Sequence, residues 1–210
     1  TELKDKPNEP VYLAVDFHDI PRYIRKVRNW HLRTKRCDDI TYVVGTQAKH
    51  GTHYCHKIAS IDIVEEQKFT LGFEPVFRDT NFDELICKLI LHAKSKITIK
   101  SVLMDRGFFR GSLISRLQAI MIPYVIRAER TPTIKKAIAF MKQNHLPYWV
   151  QEYVLHRNSH LKEKKPVATT LVIVDNAILK DNDPSLYDDH ERFFSFVTNL
   201  NIKTMDDAFK

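Results

Sequence analysis

The sequence predicts an α/β fold on a partly parallel sheet, and three observations carry that expectation. Short apolar runs rich in β-branched residues recur along the chain, each closed by an acid, a glycine or a charged cluster, as strands are. From Asn81 to Ile97 the apolar period switches from two to that of a helix. Beyond that point strand-like and helix-like segments alternate, which implies parallel pairing with helices packed on the sheet.

The elements follow in order. Residues 1–10 are polar, with Pro7 and Pro10, and read as a linker arriving from an upstream segment; the opening has neither an initiator Met nor the apolar core of a secretory signal. Val11-Tyr12-Leu13-Ala14-Val15 predicts a strand that ends at Asp16, with a turn at Asp19-Ile20-Pro21. A second strand is expected over Ile40–Gly45, then a hairpin of His56–Val64 with Lys68–Val76. Leu85, Ile86, Leu89, Ile90 and Ala93 fall on one helical face, and Thr80 or Asn81 can cap its start. A strand from Lys100 to Asp105, broken by Arg106-Gly107, precedes a helix over Ser112–Met121 and a strand over Pro123–Arg127. A short helix at Ile134–Met141 leads to β segments at Tyr148–Leu155 and Ala168–Val174, joined through a solvated turn at Lys162–Lys165. After a polar loop over Asp181–Glu191, Phe193–Asn199 reads as a final strand.

Composition narrows the function. The chain has 210 residues, 43% hydrophobic and 28% charged, enough for one large domain or a domain with an insertion. No run approaches the roughly 20 apolar residues of a membrane helix, so no membrane partner is expected. A net charge of +7 and a pI near 9.2 favour a polyanionic partner, most often nucleic acid. Cys37, Cys55 and Cys87 are odd in number and lack CxxC spacing, as expected of reduced thiols in the cytoplasm.

Two acids stand out because each closes an apolar strand, Asp16 after Leu-Ala-Val and Asp105 after Val-Leu-Met. A carboxylate at a strand end faces the crevice where open sheets bind ligands, and beside a buried strand it needs hydrogen bonds or a cation. The plain alternative is that each acid caps a turn. His18 shares a strand face with Asp16 and could support it. His50, His53, Cys55 and His56 lack the spacing of a zinc site and read better as a hairpin strand. The stretch around Arg25, Lys26 and Arg28, with Tyr23 and Trp30, suits phosphate contact, or else is a solvated face. Arg106 and Arg110 flank Asp105 and could steady a phosphate there. Neither a Gly-x-Ser-x-Gly elbow nor a Walker loop occurs, so hydrolase and nucleotide-binding readings lack a foothold.

Val102-Leu103-Met104-Asp105-Arg106-Gly107-Phe108-Phe109 resembles the Asp-Arg-Gly-Phe/Tyr motif of insertion-sequence transposases of the Asp-Asp-Glu class. Leu13–Asp19 is similar to that family's first catalytic strand. Gly45-Thr46 and Tyr54–Ala59 resemble the strands that follow, and Phe196–Leu200 the strand before the family's final segment. The resemblance spans Val11 to Leu200. It implies a ribonuclease-H-like mixed sheet flanked by helices, with its core over 11–130, a β-rich insertion over 131–192 and a return to the core at 193–210.

In function, the resemblance implies a DNA transposase in which Asp16 and Asp105 hold two Mg2+ or Mn2+ ions for cleavage and transfer of DNA strands at element ends. Element ends and target DNA would be its partners, with a homodimer in the synaptic complex. The family's third acid lies in a helix after the Val-Thr-Asn strand; Glu191 precedes that strand, Glu152 lies in the insertion, and no segment up to Lys210 matches the helix. The resemblance therefore implies that this stretch alone is inactive. A structure-specific nuclease on the same fold, or an inactive DNA-binding remnant, are the alternatives.

Overall fold

Strand pairing turns the apolar runs into sheets, and helix capping delimits the runs of helical period. The computed structural model describes residues 9–23, 30–31, 36–37, 42–49, 51–65, 68–156, 165–179, 192–204 and 207. They form a mixed α/β fold divided into two compact units, Thr1–Lys100 and Ser101–Lys210. Among the described residues no helix is long and apolar enough to cross a membrane.

In the first unit, β1 (Val11–Pro21) is followed by a two-residue antiparallel pair, β2 (Trp30–His31) and β3 (Arg36–Cys37). Next come β4 (Val44–Lys49), β5 (Thr52–Ile63), β6 (Phe69–Val76) and the helix α1 (Phe82–Lys94). The long β5 organises the unit: β1 pairs along one edge, while β4 and β6 share the other, all antiparallel. Two expectations change here. The strand expected over Ile40–Gly45 begins instead at Val44, because Lys49 pairs with Thr52 around a tight turn in which Gly51 takes φ +78. Likewise β1 does not stop at Asp16. It runs on to Pro21, so Asp16 lies mid-strand, and Asp19 forms an ion pair with its cross-strand partner Lys57 instead of shaping a turn. Pairing with a long partner overrides the local turn preference of Asp and Pro.

Asn81 caps α1, accepting from the N–H groups of Asp83 and Glu84. Its buried residues Ile86, Leu89, Ile90 and Ala93 cover the sheet face made by Leu13 and Val15 of β1 with Ala59 and Ile61 of β5. The helix lies close over β6: a Cβ at Gly72 would meet His92, Ile61 and Leu89 at 3.6–3.8 Å, ordinary van der Waals contact. Phe17 meets Phe82 edge to face at 5.3 Å, and Lys88 pairs with Glu74 at 2.7 Å.

The second unit contains β7 (Ile99–Met104, entering across the boundary), a 3-10 turn at Arg106–Phe108, α2 (Gly111–Ala119) and β8 (Tyr124–Arg127). Then follow α3 (Pro132–Gln143), β9 (Tyr148–Leu155), β10 (Val167–Asp175), the single turn α4 (Asn176–Leu179) and β11 (Phe193–Thr198). The strand order is β7-β8-β11-β10-β9. Only β7 and β8 are parallel, as the α2 crossover between them requires, so the sheet is mixed. The stretch 131–192, expected as an insertion, supplies α3, β9 and β10, and β10 pairs directly with β11. The buried stripes Leu113-Ile114-Leu117 of α2 and Ile134-Ile138-Met141 of α3 pack with Val102, Met104, Ile126, Leu171, Ile173 and Val197 in the core.

Polar side chains tie these strands together where they would otherwise be unsatisfied. Thr198 Oγ1 donates to the Tyr124 carbonyl at 2.6 Å, and Asn199 bridges the Tyr124 N–H and the Ile122 carbonyl. Thr169 Oγ1 bonds the Thr198 carbonyl and the Tyr124 hydroxyl, both at 2.9 Å. At the far end of β10, the buried Asp175 receives a two-pronged set of bonds from Arg192 at 2.6–3.0 Å and caps Ala177.

Two outcomes follow from this core. Arg192→Ala leaves Asp175 buried and uncompensated, so urea unfolding is expected to show a loss of about 3–5 kcal/mol. Burial pushes the Tyr124 hydroxyl pKa above its ordinary value, against the opposing bonds from Thr169 and Gln118. A raised value means its contribution is complete below the ordinary tyrosine range and is lost as pH climbs through the folded-state value. Above pH about 10, Tyr124→Phe should therefore lose stability less steeply than the unmodified chain in denaturation curves.

Candidate functional site

Strand alternation places Asp16 on the face of the first unit's sheet opposite α1. Leu13, Val15 and Phe17 turn toward the helix, and Ala14, Asp16 and His18 turn away. Across the ladder Asp16 pairs with Ser60 and Ala14 with Asp62, so Asp16 and Asp62 are diagonal neighbours on one face. They border an open concavity of about 520 Å3 whose lining includes His18, Ser60, Lys68 and Thr70. Asp16 is exposed, and its Oδ1 accepts the Phe17 N–H at 2.7 Å.

Asp62 accepts hydrogen bonds from Ser60 Oγ at 2.7 Å and from Thr70 Oγ1. Ser60 has one proton and gives it to Asp62, so its oxygen must accept from His18 Nε2, 2.9 Å away. His18 is thereby a donor, not a base for Ser60. It bonds beside Asp16, toward Ser60, and the sharing of a strand face anticipated for these two residues is what the alternation produces.

In the second unit Asp105 closes β7 and caps the 3-10 turn. Its Oδ1 accepts the Gly107 N–H at 2.8 Å. Asp105, Gly107 and Phe108 each have a physical task in that turn. A Cβ on Gly107 would lie 3.0 Å from Asp105 Oδ1, so glycine permits the close approach of the carboxylate. Phe108 is buried and anchors the turn, while Arg106 is exposed beside the acid. Arg110 is half-buried and precedes α2.

Both carboxylates thus have one oxygen oriented by a backbone N–H, and neither forms an ion pair among the described residues. Asp16 belongs to the first unit and Asp105 to the second. Among the described residues no three His, Cys, Asp or Glu side chains gather as a metal site. Arg25, Lys26 and Arg28 lie outside the described residues. In the segment weighed for zinc, Cys55 is a buried thiol 3.7 Å from the Val44 carbonyl. Both ring nitrogens of His56 are engaged, Nδ1 donating to the Tyr42 carbonyl and Nε2 accepting from Arg22.

Sequence reasoning missed Asp62 and Ser60. Their signal was alternation in β5, where Ile58, Ser60 and Asp62 interleave with Ala59, Ile61 and Ile63. It also passed over Arg116 and His156, and read Lys165 only as part of a solvated turn; all three line a second concavity beside Arg110. No protein-family model matches the chain, and no curated protein matches it.

The Ser60 relay makes a testable statement about His18. Nitrogen-15 NMR of the imidazoles should show the His18 Nε2–H tautomer when the ring is neutral, and Ser60→Ala should return it to a mixture. An unchanged signal in the variant contradicts the relay.

Proposed function

We propose that the chain carries the metal-dependent phosphoryl-transfer core of a DNA transposase, on a ribonuclease-H-like sheet, with Asp16 and Asp105 as two of its acidic ligands. The observation that carries the reading is Asp105, an exposed carboxylate at the C-terminal end of β7, whose neighbour β8 is parallel and reached through α2. Open α/β sheets bind ligands at that edge. Its Asp-Arg-Gly-Phe turn supplies the resemblance to the transposase motif. Asp16 adds a second exposed carboxylate without an ion pair among the described residues, in a chain of net charge +7.

Carboxylate oxygens fit magnesium or manganese, which are hard cations that prefer oxygen donors. Bound there, two such ions would supply an activated water and a counter-charge for the leaving 3′ oxygen of a DNA strand. The chain's own contribution is orientation. The Phe17 and Gly107 N–H groups each fix one carboxylate oxygen and leave the other to face a cation. Arg106, exposed beside Asp105, is placed to meet a phosphate, and the basic surplus favours DNA as the partner. A third carboxylate completes the ligand set in this reading, so two acids alone hold the ions weakly and support no turnover.

Titration of Mn2+ into the chain, followed by calorimetry, tests the reading. Saturable binding is expected, and it should be lost in both Asp16→Asn and Asp105→Asn. Binding that survives unchanged in both variants would make the acids strand and cap residues and end the catalytic reading.

A further inference from the structure

A second concavity, of about 740 Å3, opens beside the first turn of α2, and Arg110, Ser112, Ser115, Arg116, His156 and Lys165 line it. The helix period explains why α2 contributes a polar face. Ser112, Ser115 and Arg116 sit at i, i+3 and i+4 and are exposed, while Leu113, Ile114 and Leu117 take the opposite stripe into the core. The same first turn carries N–H groups at Gly111, Ser112 and Leu113 that precede the first intrahelical bond, from Ile114 to the Arg110 carbonyl. Their partial positive charge adds to that of the side chains.

His156 comes to this place through its backbone. It directly follows β9 with φ 59, a left-handed conformation unusual for a residue with a side chain. A Cβ on Gly111 would lie 2.6 Å from His156 Nε2, so the imidazole packs directly over the glycine and a larger residue there would displace the ring. Glu129 is the single carboxylate among the described lining residues, against Arg110, Arg116 and Lys165. The described lining therefore carries more cationic than anionic side chains, with the Ser112 and Ser115 hydroxyls beside them. Its volume exceeds that of a lone oxyanion and falls in the range of about 300–1,000 Å3 typical of ligand sites.

We propose that this cavity is a phosphate subsite for a nucleic-acid strand, in which Arg110, Arg116 and Lys165 neutralise the backbone and Ser112 with the first turn of α2 orients it. The proposal rests on the reading of the chain as a DNA-acting protein, but on residues that do not include Asp16 or Asp105. Phosphate binding of this kind gives affinity that falls with salt.

The test is fluorescence anisotropy of a labelled single-stranded 12-mer DNA against the whole chain across a potassium chloride series. The double variant Arg116→Gln/Lys165→Gln is expected to lower the slope of log affinity against log salt by about 1.4, roughly 0.7 for each phosphate no longer neutralised. Lys96→Gln/Lys203→Gln removes the same charge at exposed positions outside the cavity and should change the slope much less. The charge-keeping pair Arg116→Lys/Lys165→Arg should preserve it, which separates removal of charge from disruption of the fold.

Equal slopes for the cavity and control variants overturn the proposal, as does failure of the unmodified chain to bind the oligonucleotide. Vesicles containing phosphatidylserine that bind the chain through Arg116 and Lys165, with no oligonucleotide binding, would overturn it in favour of a lipid surface. Manganese binding measured on Arg116→Gln/Lys165→Gln keeps the two readings apart. Retained manganese binding with an unaltered salt slope removes the phosphate subsite alone.

Discussion

The register of β1 on β5, which sets Asp16 opposite Ser60, fixes the sidedness of the whole first unit. Side chains alternate with period two, so a slip of one residue would drive Asp16 and His18 under α1 and lift Leu13 and Val15 into water. Burial of those aliphatic side chains, at roughly 1.5–3 kcal/mol each, makes such a slip prohibitive. The polar face inherits its geometry from that apolar commitment. Ser60, Asp62 and Thr70 then find one another because β6 pairs with the opposite edge of β5.

The second unit solves a different problem, that of joining two parallel strands. The chain must leave the C-terminal end of β7 and return to the starting end of β8, and α2 makes the passage. Asp105, Gly107 and Phe108 produce the sharp exit: a carboxylate accepts an N–H, a glycine makes room, and an aromatic ring is driven into the core. Because the exit is so short, α2 begins only a few residues beyond the acid. Its N-terminal turn then lies beside the end of β9, where His156 is folded over Gly111.

Much of this was legible in the sequence. The helical face of Leu85–Ala93, the alternating hairpin of β5 with β6, and the strands at Tyr148–Leu155 and Phe193–Thr198 all appear close to where periodicity put them. What misled was punctuation. Asp19 and Pro21 look like a turn, yet β5 is long enough to hold them extended, and Lys57, directly opposite on β5, gives the acid a partner. Cross-strand partners also stayed hidden, because Asp62 and Asp16 are 46 positions apart in the chain and meet only through register. The cavity beside α2 was illegible for the same reason: Arg116 and Lys165 come from distant stretches, and His156 depends on a backbone conformation that no local motif announces.

The pairing of Asp175 with Arg192 has a consequence for how this chain can vary. It fastens the end of β10 to the beginning of β11, adjoining the ladder that sets Asp175 against Phe193. Charge and ladder together clasp the two strand ends through groups on or beside the strands themselves. Closing a loop twice as long costs only about 0.6 kcal/mol more. That junction is a place where the protein could gain or shed sequence over generations, and acquire new surface, while the sheet beneath keeps its form.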